Sequence, residues 1–177
     1  MTKYFGLLAA ASAWIVILVS VLVNPWFNFF SNAFSDLGGP KAADPWLYND
    51  GLVAVAVLVL IYCTHLVSAS KNKLETMGSA FAVVAAIFLV MIGIYHEGTY
   101  PHVFVSTWFF IQFGIAITAW GIGLLKRGWA RLGAANLILI SISAAVSVVV
   151  KWPSTATLEA WGIVSIDAWT MLMFWVH

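Results

Sequence analysis

The chain has 177 residues, of which 63% are hydrophobic and only 8% are charged, with a net charge of +1 and a mean hydropathy of +0.98. A soluble domain usually carries about a quarter charged residues, so this composition excludes a soluble globule and indicates an integral membrane protein. The sequence also lacks a basic run of the kind that binds nucleic acid, and we expect no nucleic-acid partner.

Six long apolar stretches account for most of the chain. A helix needs roughly 20 apolar residues to cross the hydrocarbon layer, and none of these stretches alternates with the period of two that a strand requires. The sequence therefore predicts an all-α integral membrane protein, a bundle of six transmembrane helices that forms a single transmembrane domain over residues 1–177. The predicted spans are about 5–23, 50–69, 76–96, 103–125, 131–150 and 158–176.

The distribution of Lys and Arg predicts the orientation of the bundle. With six spans, both termini and the second and fourth loops lie on one side of the membrane. That side carries six of the eight basic residues, Lys3, Lys71, Lys73, Lys126, Arg127 and Arg131. Because basic loops stay on the cytoplasmic side, we expect a multi-pass protein with cytoplasmic N- and C-termini, in the plasma membrane.

The connection between the first two spans is unusually long for so compact a protein. It covers residues 24–49 on the predicted outer side, and a structureless loop of that length is uncommon. Its aromatic residues, including Trp26, Phe29 and Phe30, are typical of a segment in the headgroup layer. We therefore predict an interfacial segment between helices one and two.

A short motif in this segment carries a family resemblance. The run 32–38 reads Asn-Ala-Phe-Ser-Asp-Leu-Gly, and the second span opens with Tyr-Asn-Asp-Gly at 48–51. With the acidic, His-bearing turn at 95–102, this pattern resembles a prokaryotic membrane family catalogued as domain of unknown function nine-nine-eight. The resemblance implies a six-helix fold and a shared outer motif that includes Asn32. It implies no reaction.

One interpretation of the motif is purely structural. Ser35 and Asp36 are residue types that cap helices by accepting hydrogen bonds from free backbone N–H groups. Gly38 supplies a turn, and Asn49 or Asp50 caps the second span. The motif then needs no chemistry to explain it.

The functional interpretation brings the motif over the helix ends beside the turn at 95–102. This would gather carboxylates, imidazoles and a hydroxyl, which are the groups of acid–base catalysis. The candidate catalytic residues are Ser35, Asp36, His96, Glu97 and His102. The last three also offer ligand types that zinc accepts, although their spacing matches no specific zinc motif. A divalent metal such as zinc is therefore one candidate cofactor.

A second, fainter resemblance links the chain to the alkaline ceramidase and adiponectin-receptor superfamily. Those intramembrane hydrolases have an Asn-x-x-Ser-like segment, an Asp and three zinc-binding histidines. The present chain departs from that pattern because its last span has no His-x-x-x-His pair. His65 lies about 22 Å below the outer end of span two at 1.5 Å per residue, and His177 lies toward the cytoplasmic side.

Asp167 is a carboxylate within the last span, at a predicted depth of roughly 12 Å from the outer side. A carboxylate at that depth is costly and suggests a function. Gln112 and Ser143 should reach similar depths and are candidate hydrogen-bond partners. Asp167 either locks helices together or relays protons in a carrier.

Three function classes remain open from the sequence. The first is a small membrane subunit, with an outward-facing polar cluster, that works through contacts with a partner subunit or with copies of itself. The second is a membrane enzyme acting on lipid headgroups, with membrane lipids as its partners. The third is a proton-coupled carrier centred on Asp167.

Overall fold

The computed structural model describes residues 1–176, so His177 lies outside the described residues. Over this range the chain forms six α-helices, one short 3-10 helix and no strands, which confirms the predicted all-α class. The α-helices are α1 (Tyr4–Val23), α2 (Pro45–Ala69), α3 (Lys73–Ile94), α4 (His102–Lys126), α5 (Ala130–Val149) and α6 (Thr155–Met173). The short helix Phe34–Gly38 is called the cap helix below.

Five of the helices within residues 1–176, α1 to α5, are long and apolar enough to cross a membrane. The sixth has 19 residues and is less apolar, because it carries Glu159, Asp167 and several hydroxyl groups. Three helices begin earlier than predicted, and one of them is α3, which begins at Lys73 rather than near 76. The second helix begins at Pro45 rather than near 50, because proline suits the first turn of a helix. The last helix lies three residues earlier than predicted.

Consecutive helices pack against each other, and α6 returns to contact α1 and α4. The most extensive contact between two helices is that of α3 with α4. A Cβ added to Gly78 would lie 2.6 Å from the Trp120 ring and 2.9 Å from the Ala116 carbonyl oxygen, so only glycine fits there. Because lipid provides little hydrophobic drive between helices, such small residues set how closely two helices pack.

The two ends of the bundle differ in chemistry. At one end, which we call the terminal end, the Lys3 ammonium lies 4.4 Å from the Phe174 ring. The loops after α2 and α4 also meet at this end, where the buried Glu75 carboxylate accepts from the Lys71 backbone N–H at 2.6 Å and lies 3.8 Å from Arg127. At the other end, the motif end, lie residues 24–44, the α3–α4 turn and the start of α6.

Residues 24–44 fold into a compact segment that we call the motif cap. The Asn24 carboxamide accepts from the Ala43 backbone N–H at 2.8 Å and donates to the Ser20 carbonyl at 2.8 Å, which joins the two ends of the cap to α1. The Asn32 carbonyl accepts from the Ala156 N–H at 2.9 Å, which ties the cap to α6. The predicted interfacial segment therefore folds over the helix ends and is hydrogen-bonded to α1 and α6.

Candidate functional site

Two motif residues have structural roles in the cap helix. The Asp36 carboxylate accepts hydrogen bonds from the Ala33 backbone N–H at 2.9 Å and from the Asn32 amide at 3.2 Å, so it supports the first turn as predicted. Ser35 makes no capping hydrogen bond, and the capping role predicted for it is wrong. Its hydroxyl is free to take part in another contact.

The opening of α2 also differs from the prediction. Asn49 and Asp50 lie inside the helix rather than at its cap, because α2 starts at Pro45. Asn49 instead donates from Nδ2 to the Gly38 carbonyl at 2.9 Å. A Cβ on Gly38 would fall on the Asn49 carboxamide, so the glycine is required for this close approach. Asp50 is exposed.

Three predicted catalytic residues meet at the motif end. The Ser35 hydroxyl donates to Glu97 Oε2 at 3.3 Å, and His102 Nε2 lies 3.2 Å from the same oxygen. Ser35 comes from the cap helix, Glu97 from the α3–α4 turn and His102 from the first residue of α4. Ser35 and His102 are buried, whereas 38% of the Glu97 side chain is exposed. We call these three residues the polar cluster.

The contacts of His102 define where its protons lie. Its Nδ1 lies 2.7 Å from the Tyr95 carbonyl, which can only accept, so Nδ1 carries a hydrogen. A hydrogen bond across the 3.2 Å between Nε2 and Glu97 Oε2 would need a second proton, which these two groups would share. The Ser35 hydroxyl contacts the same carboxyl oxygen, so the three groups are placed for proton transfer.

The remaining predicted site residues do not join this contact. His96 Nδ1 lies 2.9 Å from the Glu97 backbone carbonyl rather than from its carboxylate. Among residues 1–176, no three His, Cys, Asp or Glu side chains are grouped so that they could hold a metal ion. The geometry of the polar cluster thus fits proton transfer, and the zinc hypothesis for His96, Glu97 and His102 stays a prediction.

A cavity of about 100 Å³ lies directly beneath the polar cluster, between α1, α2, α3, α4 and α6. Its motif end is polar and is lined by Ser35, Tyr48, His102, Ser106 and Glu159. Its walls are aliphatic and aromatic, with Leu52, Val55, Leu89 and Phe109 among them. The cavity continues along α6 as far as Thr170, roughly 16 Å from Glu159 at 1.5 Å per residue. The cavity thus joins polar groups at the motif end to apolar walls, and Asp167 and Thr170 add polar groups further along α6.

Sequence reasoning missed Glu159. This residue lies in the first turns of α6, where its Oε2 accepts from the Phe34 backbone N–H at 2.7 Å. It thus positions the residue next to Ser35 and also lines the cavity. The signal was present in the sequence, since Glu159 is a carboxylate at the same predicted membrane depth as the motif. Its partner is a backbone group 125 positions away, which no local pattern can reveal.

Asp167 lines the same cavity further from the motif end. Its Oδ2 accepts from Trp14 Nε1 at 2.8 Å, which links α6 to α1. The predicted partners Gln112 and Ser143 are wrong: Ser143 donates to Ser165 at 2.9 Å, and the Gln112 carbonyl oxygen has no hydrogen-bond partner. Residues two apart on a helix point about 200° apart, so the α6 face that meets α5 at Ser165 cannot also present Asp167.

The fold and site together define an all-α integral membrane protein with a polar cluster above an inter-helix cavity. The chain belongs to the family described as "Protein of unknown function (DUF998)", whose model matches residues 7–176. No curated protein and no solved structure matches the chain.

The Trp14–Asp167 contact predicts different outcomes for two replacements of the carboxylate. Asp167→Asn keeps an acceptor for the indole N–H and should fold like the wild type. Asp167→Leu leaves the indole unpaired and should lower the free energy of unfolding by about 1–3 kcal/mol. Unfolding of detergent-solubilised protein measures this difference.

Trp14→Phe is the matched control, because it should remove the extra cost of Asp167→Leu. Equal stability of the Asn and Leu variants would contradict the helix-lock role. A proton-linked flux into proteoliposomes that is lost in a stable Asp167→Asn variant would instead favour the carrier hypothesis.

Proposed function

We propose that this protein is a membrane enzyme that acts on the polar end of a membrane lipid whose acyl chain lies in the cavity. The observation that carries the proposal is the meeting of the Ser35 hydroxyl, Glu97 Oε2 and His102 Nε2 directly above an apolar cavity. Ser35 and His102 line that cavity, whereas Glu97 contacts both from above. A bound chain would therefore bring its headgroup linkage to Ser35.

The charges at the motif end disfavour a headgroup with a net negative charge. The carboxylates of Asp36 and Glu97 lie close enough to Glu159 to interact with it electrostatically. The basic residues of this end, Lys41 and Lys151, are exposed and take part in none of the hydrogen bonds of the cluster. Because like charges repel across short distances, a headgroup with a bare negative charge beside Ser35 would be disfavoured. A glyceride or a zwitterionic lipid fits better.

The cluster can cleave an ester by transfer of the acyl group to Ser35. The Ser35 oxygen forms a bond to the acyl carbonyl carbon, and its proton passes to the Glu97 carboxylate. The bond between that carbon and the leaving oxygen breaks as the leaving oxygen takes a proton from the His102 imidazolium. Water then adds to the acyl carbon and releases Ser35, and its two protons restore the Ser35 hydroxyl and the His102 imidazolium while Glu97 gives its proton to the fatty acid. Such proton transfers typically contribute about 100- to 10,000-fold in rate.

Replacement of the cluster residues tests this activity. We expect the wild-type protein in nanodiscs to release fatty acid from a panel of neutral and zwitterionic lipids, and Ser35→Ala to abolish release. Glu97→Gln cannot accept the Ser35 proton and should lower the rate by about 100- to 10,000-fold. Mass spectrometry of the lipids measures the product, and a fluorophosphonate probe should form an adduct on Ser35.

Ser31→Ala is the control, because Ser31 is an exposed hydroxyl of the same cap outside the cluster. Failure of every lipid to react, together with no adduct on Ser35, would set the enzyme proposal aside. Elemental analysis of the same samples tests whether the enzyme depends on a metal ion. Stoichiometric zinc that is lost in His96→Ala would support the metal-dependent form of the proposal.

We also propose that the motif end faces the outside of the cell and that both termini are cytoplasmic, in the plasma membrane. The support is the distribution of basic residues, since the terminal end carries Lys71, Lys73 and Arg127 and the motif end only Lys41 and Lys151. In a Cys63→Ser background, Lys41→Cys should react with an impermeant maleimide on intact cells, whereas Lys73→Cys should react only after lysis. The reverse pattern would invert the orientation.

A second candidate is a small membrane subunit, or a homo-oligomer, that works through helix contacts. The observation in its favour is that α5 buries only Gly133, Asn136 and Ser143 within the chain and exposes apolar residues such as Ile138 and Ile142. If this face binds protein, native mass spectrometry should detect a second chain at fixed stoichiometry, and Ile138→Trp should release it. A single 19.3 kDa chain that carries only lipid would contradict this candidate.

A further inference from the structure

A second and larger cavity, of about 610 Å³, lies between α4, α5 and α6. We call it the lateral groove. On α4 it runs from Ser106 to Ile117, which is roughly 16 Å at 1.5 Å per residue. The exposed Ile111 and Ala144 on its rim place its opening toward the hydrocarbon layer, because α4 and α5 are both apolar spans.

The lateral groove and the cavity beneath the polar cluster share a wall. Ser106, Phe110, Phe113, Glu159 and Ile166 line both spaces. Phe110 reaches from α4 to α6. A Cβ added to Gly162 would lie 2.5 Å from the Phe110 ring, so the ring rests directly on the backbone of α6 at that glycine. The Phe110 ring is half-buried and is one of the five side chains that form this shared wall.

We propose that the lateral groove binds an acyl chain of a membrane lipid and admits it sideways to the inner cavity, with the Phe110 ring as the gate. The inference rests on the proposed function, since it supplies the route by which a lipid reaches Ser35. A lipid that enters in this way never leaves the hydrocarbon layer. Its headgroup stays at the motif end while its chain moves between α4 and α6.

The polar groups of the groove explain why its occupant is apolar. The Ser143 hydroxyl already donates to Ser165, and the Ser147 hydroxyl donates to the Ser143 carbonyl at 2.8 Å. The Ser165 hydroxyl donates to the Trp161 carbonyl at 2.8 Å. These donors are occupied within the protein, so the middle of the groove offers no free hydrogen-bond donor to a polar ligand.

The single ionisable residue among those that line the groove is Glu159, which lies at the motif end. Its Oε2 is already bound to the Phe34 backbone N–H. The groove is thus ionisable only where a headgroup would lie, and the hydroxyls of Ser143, Ser147 and Ser165 along its depth are already hydrogen-bonded within the protein. This is the polarity of one lipid chain with its head at the motif end.

Photo-crosslinking tests the route. The probe is a phosphatidylcholine with a diazirine near the end of one acyl chain, incorporated into nanodiscs with the full-length protein. In the wild type we expect adducts on groove residues of α5, such as Ile140 and Ala144, and a smaller share on inner-cavity residues such as Ala9 and Leu89. Phe110→Ala should raise the inner-cavity share severalfold, and Phe110→Trp should lower it severalfold.

Phe104→Ala is the matched control, because Phe104 is an exposed aromatic residue of the same helix and lines neither space. An inner-cavity share that is the same in all four proteins would overturn the gate. Adducts spread evenly over every lipid-facing helix would overturn the groove as a binding site.

The outcome is independent of catalysis, because Ser35→Ala should label like the wild type. Gated labelling without lipid turnover would leave the route intact and remove only the enzyme proposal. Lipid turnover with an inner-cavity share of adducts that is the same in the Phe110 variants would keep the enzyme proposal and remove the gate.

Discussion

The motif cap is held over the bundle by a few long-range hydrogen bonds, and the position of the polar cluster depends on them. Glu159 accepts from the backbone N–H of Phe34, and Asn49 donates to the carbonyl of Gly38, so both ends of the cap helix are fixed to a long helix. Ser35 lies between these two anchors and cannot move far from Glu97. Because a buried backbone group without a partner is costly, each anchor satisfies the cap while it positions the serine.

In this arrangement most of the motif residues have structural roles, whereas the Ser35 hydroxyl makes no hydrogen bond within the cap. Asn32 and Asp36 hydrogen-bond within the cap, and Gly38 permits the approach of Asn49. Ser35 uses its hydroxyl for none of these tasks and presents it to Glu97. The structural and functional interpretations of the motif are therefore not alternatives. The structural interpretation accounts for most of the motif residues, and the functional interpretation applies to Ser35.

The sequence was sufficient for the fold class because the dominant signal was the length of its apolar runs. Hydropathy depends on composition over some twenty residues and is insensitive to partners. Hydropathy could not identify the contacts of Asp167. The sequence indicates how deep a residue lies in its membrane span, but not which neighbouring helix its side chain faces. Gln112 and Ser143 have a comparable predicted depth to Asp167, yet the face of α6 that carries Asp167 turns toward Trp14 on α1. Glu159 was missed because its partner, the Phe34 backbone N–H, lies 125 positions away in the sequence.

The sixth helix connects these observations. It is the least apolar of the six, since it carries two carboxylates, and each carboxylate accepts from a different element: Glu159 from the motif cap and Asp167 from α1. Toward α4, by contrast, the backbone of α6 at Gly162 is contacted by the Phe110 ring. Polar bonds have directional requirements and fix α6 to the motif cap, to α1 and to α5, whereas an aromatic ring resting on a glycine can rotate without breaking a hydrogen bond. The side of α6 that lacks polar anchors is the side that separates the lateral groove from the inner cavity. An opening at Phe110 would thus leave the anchors of Ser35 in place, so a lipid could enter without disturbing the residues that would act on it.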